Sequence, residues 1–507
     1  MPLAFSRFQR SVGNSAEAPR GVPQATLLLV WLAAITLYRI WIIPRLGITL
    51  YVDEAQYWTW AQQPDWGYFS KPPVIAWLIA FSTALFGDGL IAVKLPSLIL
   101  YPATAWLSFR LGVRLFDARI GFRTGLAFSL MPIVAALGLF VSTDAPLLFF
   151  WAAAMLSLLR ALDHDRWSDW LLLGISVGLG MMSKYTMAVF GVSALLYLLV
   201  DRSRRGALLN HKLWIAAALA LLIVLPNIFW NWSYDFPTLH HTADITHVEG
   251  VNTKTGNLGE FLLAQVAALG PAIALAFLAG LAMAIRQWRE PRMQLLISFS
   301  LPLFGIVMLQ ALRSEANGNW AAPSMIAANM LAIVWLTRKR LRWWLFAALG
   351  INIALMLAVY HLNDFYRLTG RTPSAHADPL KRARGWSAFA QQLKPYLDAQ
   401  PQALLLAENR TLLAHMLYEL RDTAAASPGA YAAWAPYASP HDHYQLVAPL
   451  NNEHLGRTAL LVTQTDYSPI ASRFNHAQLL GHISVDVEPG LRREADVVLL
   501  EGFKGYR

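Results

Sequence analysis

Two acids and an amine stand out in the segment YVDEAQYWTWAQQPDWGYFSKPP, residues 51–73, where Asp53, Glu54 and Lys71 follow an apolar run over 25–44. Charges placed so close to lipid are expensive and by default functional. A carboxylate at a helix end beside a partly dry cleft can take a proton from a hydroxyl, and the adjacent charge of Glu54 raises its proton affinity toward a useful range. Asp53 is therefore a candidate general base. A fixed ammonium at the membrane boundary can hold a phosphate, and Pro72 and Pro73 stiffen the turn that presents Lys71. The alternatives are equally concrete: a solvated helix cap for the acid pair, a lysine snorkelling to the interface, and an aromatic belt of Tyr51, Tyr57, Trp58, Trp60, Trp66, Tyr68 and Phe69.

Short turns bring other polar groups to the same level. Ser142-Thr143-Asp144-Ala145-Pro146 joins two apolar runs with almost no loop, which holds Asp144 at the membrane surface, and Ser183-Lys184-Tyr185 does the same further along. Both also read as helix punctuation. Arg313, Glu315, Asn319 and Trp320 form another outer segment, able to contact sugar or phosphate or to cap the flanking helices. His240, Asp244 and His247 have i, i+4, i+7 spacing, which would align them on one helical face as ligands for a divalent cation. Polar outer loops also collect histidines for no special reason, and His441-Asp442-His443 is a second such cluster. The chain has no cysteine, so disulfides, thiolate metal sites and thiol nucleophiles are excluded.

The elements that position these residues follow from composition. The chain has 507 residues, 56% hydrophobic and only 14% charged, which is not the profile of a soluble domain. Apolar runs long enough to cross a hydrocarbon core of about 30 Å recur at 25–44, 91–112, 122–142, 145–160, 168–183, 187–200, 213–230, 259–285, 293–312, 321–337 and 343–360. That gives about eleven transmembrane helices, with 72–88 taken as an interfacial or re-entrant helix of the first outer loop. Lys and Arg crowd alternate loops, from Arg7, Arg10 and Arg20 through Arg202, Arg204 and Arg205 to Arg338, Lys339 and Arg340. The asymmetry puts the N-terminal tail, 1–24, inside and Asp53 outside. Residues 361–507 balance 14 Lys and Arg against 14 Asp and Glu, so the net charge of +10 resides in the first 360 residues. Basic residues spread over separate loops on one membrane face argue against a nucleic-acid partner and are explained by topology and anionic headgroups. The first helix reads as a retained signal-anchor. Short apolar runs at 403–407, 459–463 and 496–500, with helical periodicity at 409–421, predict a C-terminal soluble α/β domain outside the membrane.

Taken together the pattern resembles the GT-C membrane glycosyltransferases, in the family 39-like group of protein O-mannosyltransferases and the aminoarabinose transferases of lipid A. The likeness rests on Asp53-Glu54, Phe69-Ser70-Lys71-Pro72-Pro73, Thr143-Asp144, Ser183-Lys184-Tyr185 and Asn319-Trp320-Ala321-Ala322-Pro323, in order through 25–340. It implies a polytopic α-helical GT-C fold over 25–360 with a periplasmic α/β domain over 361–507. It also implies a polyprenyl-phosphate-linked sugar donor, a lipid or glycan acceptor such as lipid A or lipopolysaccharide, and transfer with inversion at the outer face of the inner membrane. By the same resemblance Asp53 is the base, Asp144 and Glu54 belong to the catalytic cleft, and Lys71, Lys184 and Tyr185 serve the donor phosphate. Tyr57, Tyr68, Asn319 and Trp320 line the substrate. Aminoarabinose transferases carry a carboxylate directly before the loop lysine; here Ser70 stands there, which puts a metal site of that kind in doubt. Other readings are a multi-helix transporter or flippase of a lipid-linked sugar, a protein O-glycosyltransferase, and a lipid-binding sensor. A transporter would show broken helices in repeated halves with charges at mid-bilayer, whereas this chain gathers its acids and lysines at one face.

Overall fold

The computed structural model describes residues 23–246, 256–371, 374–437 and 439–506. Its membrane part consists of helices α1 (Gln24–Ile42), α2 (Val52–Gln62), α3 (Val74–Phe86), α4 (Leu90–Leu115), α5 (Ala118–Ser129), α6 (Pro132–Leu137), α7 (Asp144–His164), α8 (Trp167–Met181), α9 (Ala188–Val200), α10 (His211–Ser233), α11 (Pro237–Thr246), α12 (Leu258–Leu269), α13 (Pro271–Arg286), α14 (Pro291–Arg313), α15 (Ser324–Arg338) and α16 (Arg342–Tyr360). Every expected apolar run is helical, but the runs are not eleven long rods. Among the described residues six helices are long and apolar enough to cross a membrane, or seven with the bent pair α12–α13 counted as one span.

Two breaks have clear causes. The run 122–142 stops at Ser129 and restarts at Pro132, whose ring removes a donor and suits a first helical position. The run 259–285 turns by 101° between α12 and α13. Gly270 sits at the corner with φ +89°, and a Cβ there would collide with the side chain of Asn352, which donates to the Leu269 carbonyl at 3.2 Å. Elsewhere small residues bring helices close: Gly121 and Gly125 let α5 lie against the backbone of α4, where a Cβ would sit 2.7 Å and 2.8 Å from the Phe109 and Ala105 carbonyl oxygens.

Past α16 the chain forms α17 (Leu362–Thr369), α18 (Trp386–Ala399), α19 (Arg410–Glu419) and α20 (His443–Val447) around a five-stranded sheet. The strands are β1 (Leu404–Ala407), β2 (Tyr431–Ala433), β3 (Ala459–Thr463), β4 (Phe474–Glu488) and β5 (Leu491–Phe503), in the order β2-β1-β3-β5-β4. β2, β1 and β3 are parallel; β5 runs antiparallel to β3 and pairs with β4 in a long hairpin. The three apolar runs are strands as expected, although 496–500 is only the most buried stretch of β5. Its remaining residues alternate in exposure, the mark of a sheet with one wet face. The turn-rich stretch 427–442 contains β2.

This C-terminal domain is joined to the segment after α1 through a shared core. Leu50, Tyr57, Trp58 and Trp60 belong to one buried cluster with Trp386, Phe389, Leu412 and Tyr418. Arg384 fastens the junction, donating to the Leu46 carbonyl at 2.5 Å, to Asn363 at 2.9 Å and to the buried Asp378 at 2.5 Å. Thr49 N donates to the Ala383 carbonyl at 2.9 Å, and Tyr418 donates to the Asp88 carbonyl at 3.2 Å.

Candidate active site

A cavity of about 1450 Å³ opens where α2, the loop before α3, the turn before α7 and the turn after α8 converge. Asp53, Tyr57, Lys71, Asp144, Lys184, Tyr185, Asn319 and Trp320 all line it, so residues far apart in the chain share one chamber. The acid and amine at 53 and 71 face the same space.

The loop that carries Lys71 is clamped from several sides. Tyr68 N donates to the Lys71 carbonyl at 3.2 Å, Thr238 donates to the Tyr68 carbonyl at 2.9 Å, and Asn227 donates to the Trp66 carbonyl at 2.7 Å. Gly67 is required where the Trp230 ring lies, since a Cβ would stand 2.4 Å from it. Among the described residues no side chain pairs with the Lys71 ammonium. Burial and the nearby charge of Lys184 push Lys71 down to about 8, with Asp53 and Asp144 opposing. A partly desolvated cation without a protein counter-ion is arranged to receive an anion.

Asp144 anchors the opposite wall. One carboxylate oxygen accepts from Lys184 at 2.7 Å and the other from Asn319 Nδ2 at 2.7 Å, while Tyr185 donates to Asn227. Asp144 thereby fixes the reach of Lys184 and ties the segment before α15 to α7. Asp53 meets a residue absent from the sequence-based expectation: Arg410, at the start of α19 in the C-terminal domain, donates to Asp53 Oδ1 at 2.9 Å and to Gln56 at 2.8 Å. Arg382, which also lines the cavity, donates to the Tyr51 hydroxyl at 2.8 Å. The signal for Arg410 is the cap before it. Asn409 follows β1 and accepts from Thr411 N and Leu412 N at 3.0 Å, which aims the first helical residue at α2.

Several expectations need correction. Glu54 does not border the cavity: it is 1% exposed and both oxygens accept from Lys94 of α4 at 2.6 Å. Val141 N also donates to Glu54, at 2.6 Å, and Tyr51 N at 2.8 Å, so the carboxylate fastens α2 to α4 and to the turn before α7. Successive helical residues point about 100° apart, which separates Glu54 from Asp53. Tyr68 is likewise outside the cavity, stacked on Trp60 with centroids 4.5 Å apart and donating to the Trp60 carbonyl. Of the metal-ligand set, His240 is exposed on α11, Asp244 lines the cavity, and His247 lies outside the described residues. Among the described residues no three His, Asp or Glu side chains are grouped to hold a metal ion. The residue of α11 that turns inward is His241, packed on Phe69 and pushed down to about 4 by burial and by Lys71, hence neutral at pH 7. Asp442 of the other cluster caps α20, accepting from Gln445 N at 3.0 Å.

Comparison with known proteins gives the family and the fold. A family profile described as dolichyl-phosphate-mannose-protein mannosyltransferase matches residues 70–230. Lipid A galacturonosyltransferase RgtD of Rhizobium johnstonii is 32% identical over 443 residues, 87% of this chain and 91% of that one. An undecaprenyl phosphate-alpha-4-amino-4-deoxy-L-arabinose arabinosyl transferase of Pseudomonas fluorescens is 30% identical over 166 residues, 31% of this chain and 29% of its own. In fold, the apo crystal structure of ArnT from Cupriavidus metallidurans superposes with TM-score 0.65 at 18% identity, covering 94% of this chain and 98% of that one.

Proposed function

The chain belongs to the GT-C membrane glycosyltransferases, in one family with lipid A galacturonosyltransferase, and from that premise we propose that it moves a sugar from a polyprenyl-phosphate donor onto a hydroxyl of lipid A or lipopolysaccharide core. The observation that carries this reading is the pairing of Asp53 and Lys71 across one cavity, with Lys71 free of protein partners among the described residues.

In the reaction the acceptor oxygen attacks the anomeric carbon from the face opposite the phosphate, the bond from that carbon to the phosphate oxygen breaks, and configuration inverts. Asp53 takes the hydroxyl proton. Its Oδ2 accepts no hydrogen bond among the described residues, so one oxygen is available while Arg410 holds the other. Lys71 neutralises the charge that gathers on the departing lipid phosphate, with Lys184 and Tyr185 beside it. Tyr57, Asn319 and Trp320 bound the sugar. We assign a uronic acid as the donor sugar: RgtD is named for galacturonosyl transfer, and Arg382 offers a further cation in the cavity beside Lys71 and Lys184, its guanidinium donating among the described residues only to the neutral Tyr51 hydroxyl.

The same reading places the eleven apolar segments as crossings, with the N-terminal tail in the cytoplasm. The cavity and residues 361–507 then stand on the periplasmic side of the inner membrane, above the catalytic part at 25–360. Support comes from the basic residues of alternate loops and from the core that α2 shares with the C-terminal domain.

The test is reconstitution in detergent with undecaprenyl-phosphate galacturonic acid and deacylated lipid A, with the product read by mass spectrometry. Wild type is expected to add one uronic acid, and Asp53→Asn to lose about 10²–10⁴-fold in kcat. Equal turnover by wild type and Asp53→Asn overturns the assignment.

A further inference from the structure

A second cleft, of about 350 Å³, lies between the first outer loop and the outer domain. It meets α2 at Trp58, Thr59, Trp60 and Gln62, whereas Asp53 and Tyr57 line the catalytic cavity. None of the chemistry above uses it.

Its walls are aromatic and held in place by carboxylates. Trp58 Nε1 donates to Asp88 at 2.6 Å and Trp230 Nε1 donates to Asp65 at 2.7 Å, so both indoles have fixed orientation. Two ring nitrogens in the same wall have no hydrogen-bond partner among the described residues: Trp60 Nε1 and His443 Nδ1, in side chains 1% and 6% exposed. Buried polar atoms nearly always find partners, so two vacancies in the side chains of one wall mark an unmet hydrogen-bonding demand beside the cleft. Burial pushes His443 down to about 3, which keeps the imidazole neutral and able to donate or accept according to its tautomer.

A carbohydrate matches this set. A sugar ring offers C–H faces to aromatic walls and hydroxyls that both donate and accept, and the volume sits at the small end of ligand sites, room for one or two sugar rings and too little for a lipid tail. The rim carries Asp65, Asp88 and Asp422 against Arg421, and Arg421 is turned onto Tyr418. That balance repels a uronate and suits a neutral or amino-bearing sugar.

We propose that this cleft is a subsite for a neutral or amino-bearing sugar of the acceptor glycan, gripping it in a pocket separate from the one that holds the reacting hydroxyl. The proposal rests on the glycosyltransferase reading and adds where the acceptor is recognised.

The experiment uses the full chain in detergent and isothermal titration with the β-1,6-linked glucosamine disaccharide, and galacturonic acid as the comparison. Wild type is expected to bind the disaccharide and not the uronic acid. Asp422→Lys and Trp60→Phe are expected to weaken binding about fivefold or more and to raise the acceptor KM by the same factor, with kcat kept. Asp422 is exposed, so Asp422→Lys keeps the fold and decides the matter even where Trp60→Phe lowers expression. No binding by wild type, or equal binding by wild type and Asp422→Lys, overturns the subsite. Sugar transfer by wild type is scored separately, so failure of the subsite and failure of the enzyme reading are distinguishable.

Discussion

Lys71 titrates where its duty can be watched. Its pKa lies near 8 in the folded chain against 10.5 for a free side chain, because burial and Lys184 penalise the ammonium. The charged form is present below that value and disappears as pH rises through it. kcat/KM for the donor, which reports the free enzyme, is therefore expected to fall above pH 8, and Lys71→Arg to move that limb upward, since guanidinium stays charged. Lys71→Ala removes the cation and is expected to lower kcat/KM about 100-fold or more. Glu54 makes the contrasting case. Removing it leaves Lys94 buried without a counter-ion, so Glu54→Ala is expected to cost about 3–5 kcal/mol of stability, while Glu54→Gln combined with Lys94→Met restores folding and transfer alike. A melting curve and a transfer assay on the double variant separate a fastening role from a catalytic one.

Helix corners carry as much of the site as the charged groups do. Gly270→Ala forces a Cβ into Asn352 and a left-handed backbone onto alanine, and is expected to lower stability by about 1–3 kcal/mol in thermal melts, the bend of α12 against α13 failing first. The apolar runs showed where helices lie, because burial in lipid or in a bundle needs the same residues. They could not show the 101° corner, since Gly-Pro at 270–271 reads equally as a kink inside one span or as a turn between two. The site was legible to the same depth. Asp53, Lys71, Asp144 and Lys184 sit next to helix ends and prolines, local signals that survive in one dimension. Glu54 was misplaced because its partner Lys94 lies 40 residues on, inside an apolar helix where a lone lysine gives no hint of its mate. Arg410 was missed for a similar reason: its partner is 357 residues away.

At the scale of the whole molecule, orientation can be read with thiol chemistry, since the chain has no cysteine of its own. In intact spheroplasts Asp422→Cys is expected to react with a membrane-impermeant maleimide and Arg204→Cys to react only after lysis; the reverse pattern would put the cavity on the cytoplasmic side. The shared core of the first outer loop and the outer domain has a further consequence. Swinging that domain away would uncover part of the surface that Trp58, Trp60, Trp386 and Tyr418 bury in one cluster, at about 25 cal/mol per Å². That cost, shared over four rings, favours a roof that stays in place. Traffic is then expected to be sideways, with the isoprenoid chain of the donor reaching the cavity from the bilayer beneath that roof and the spent carrier leaving the same way.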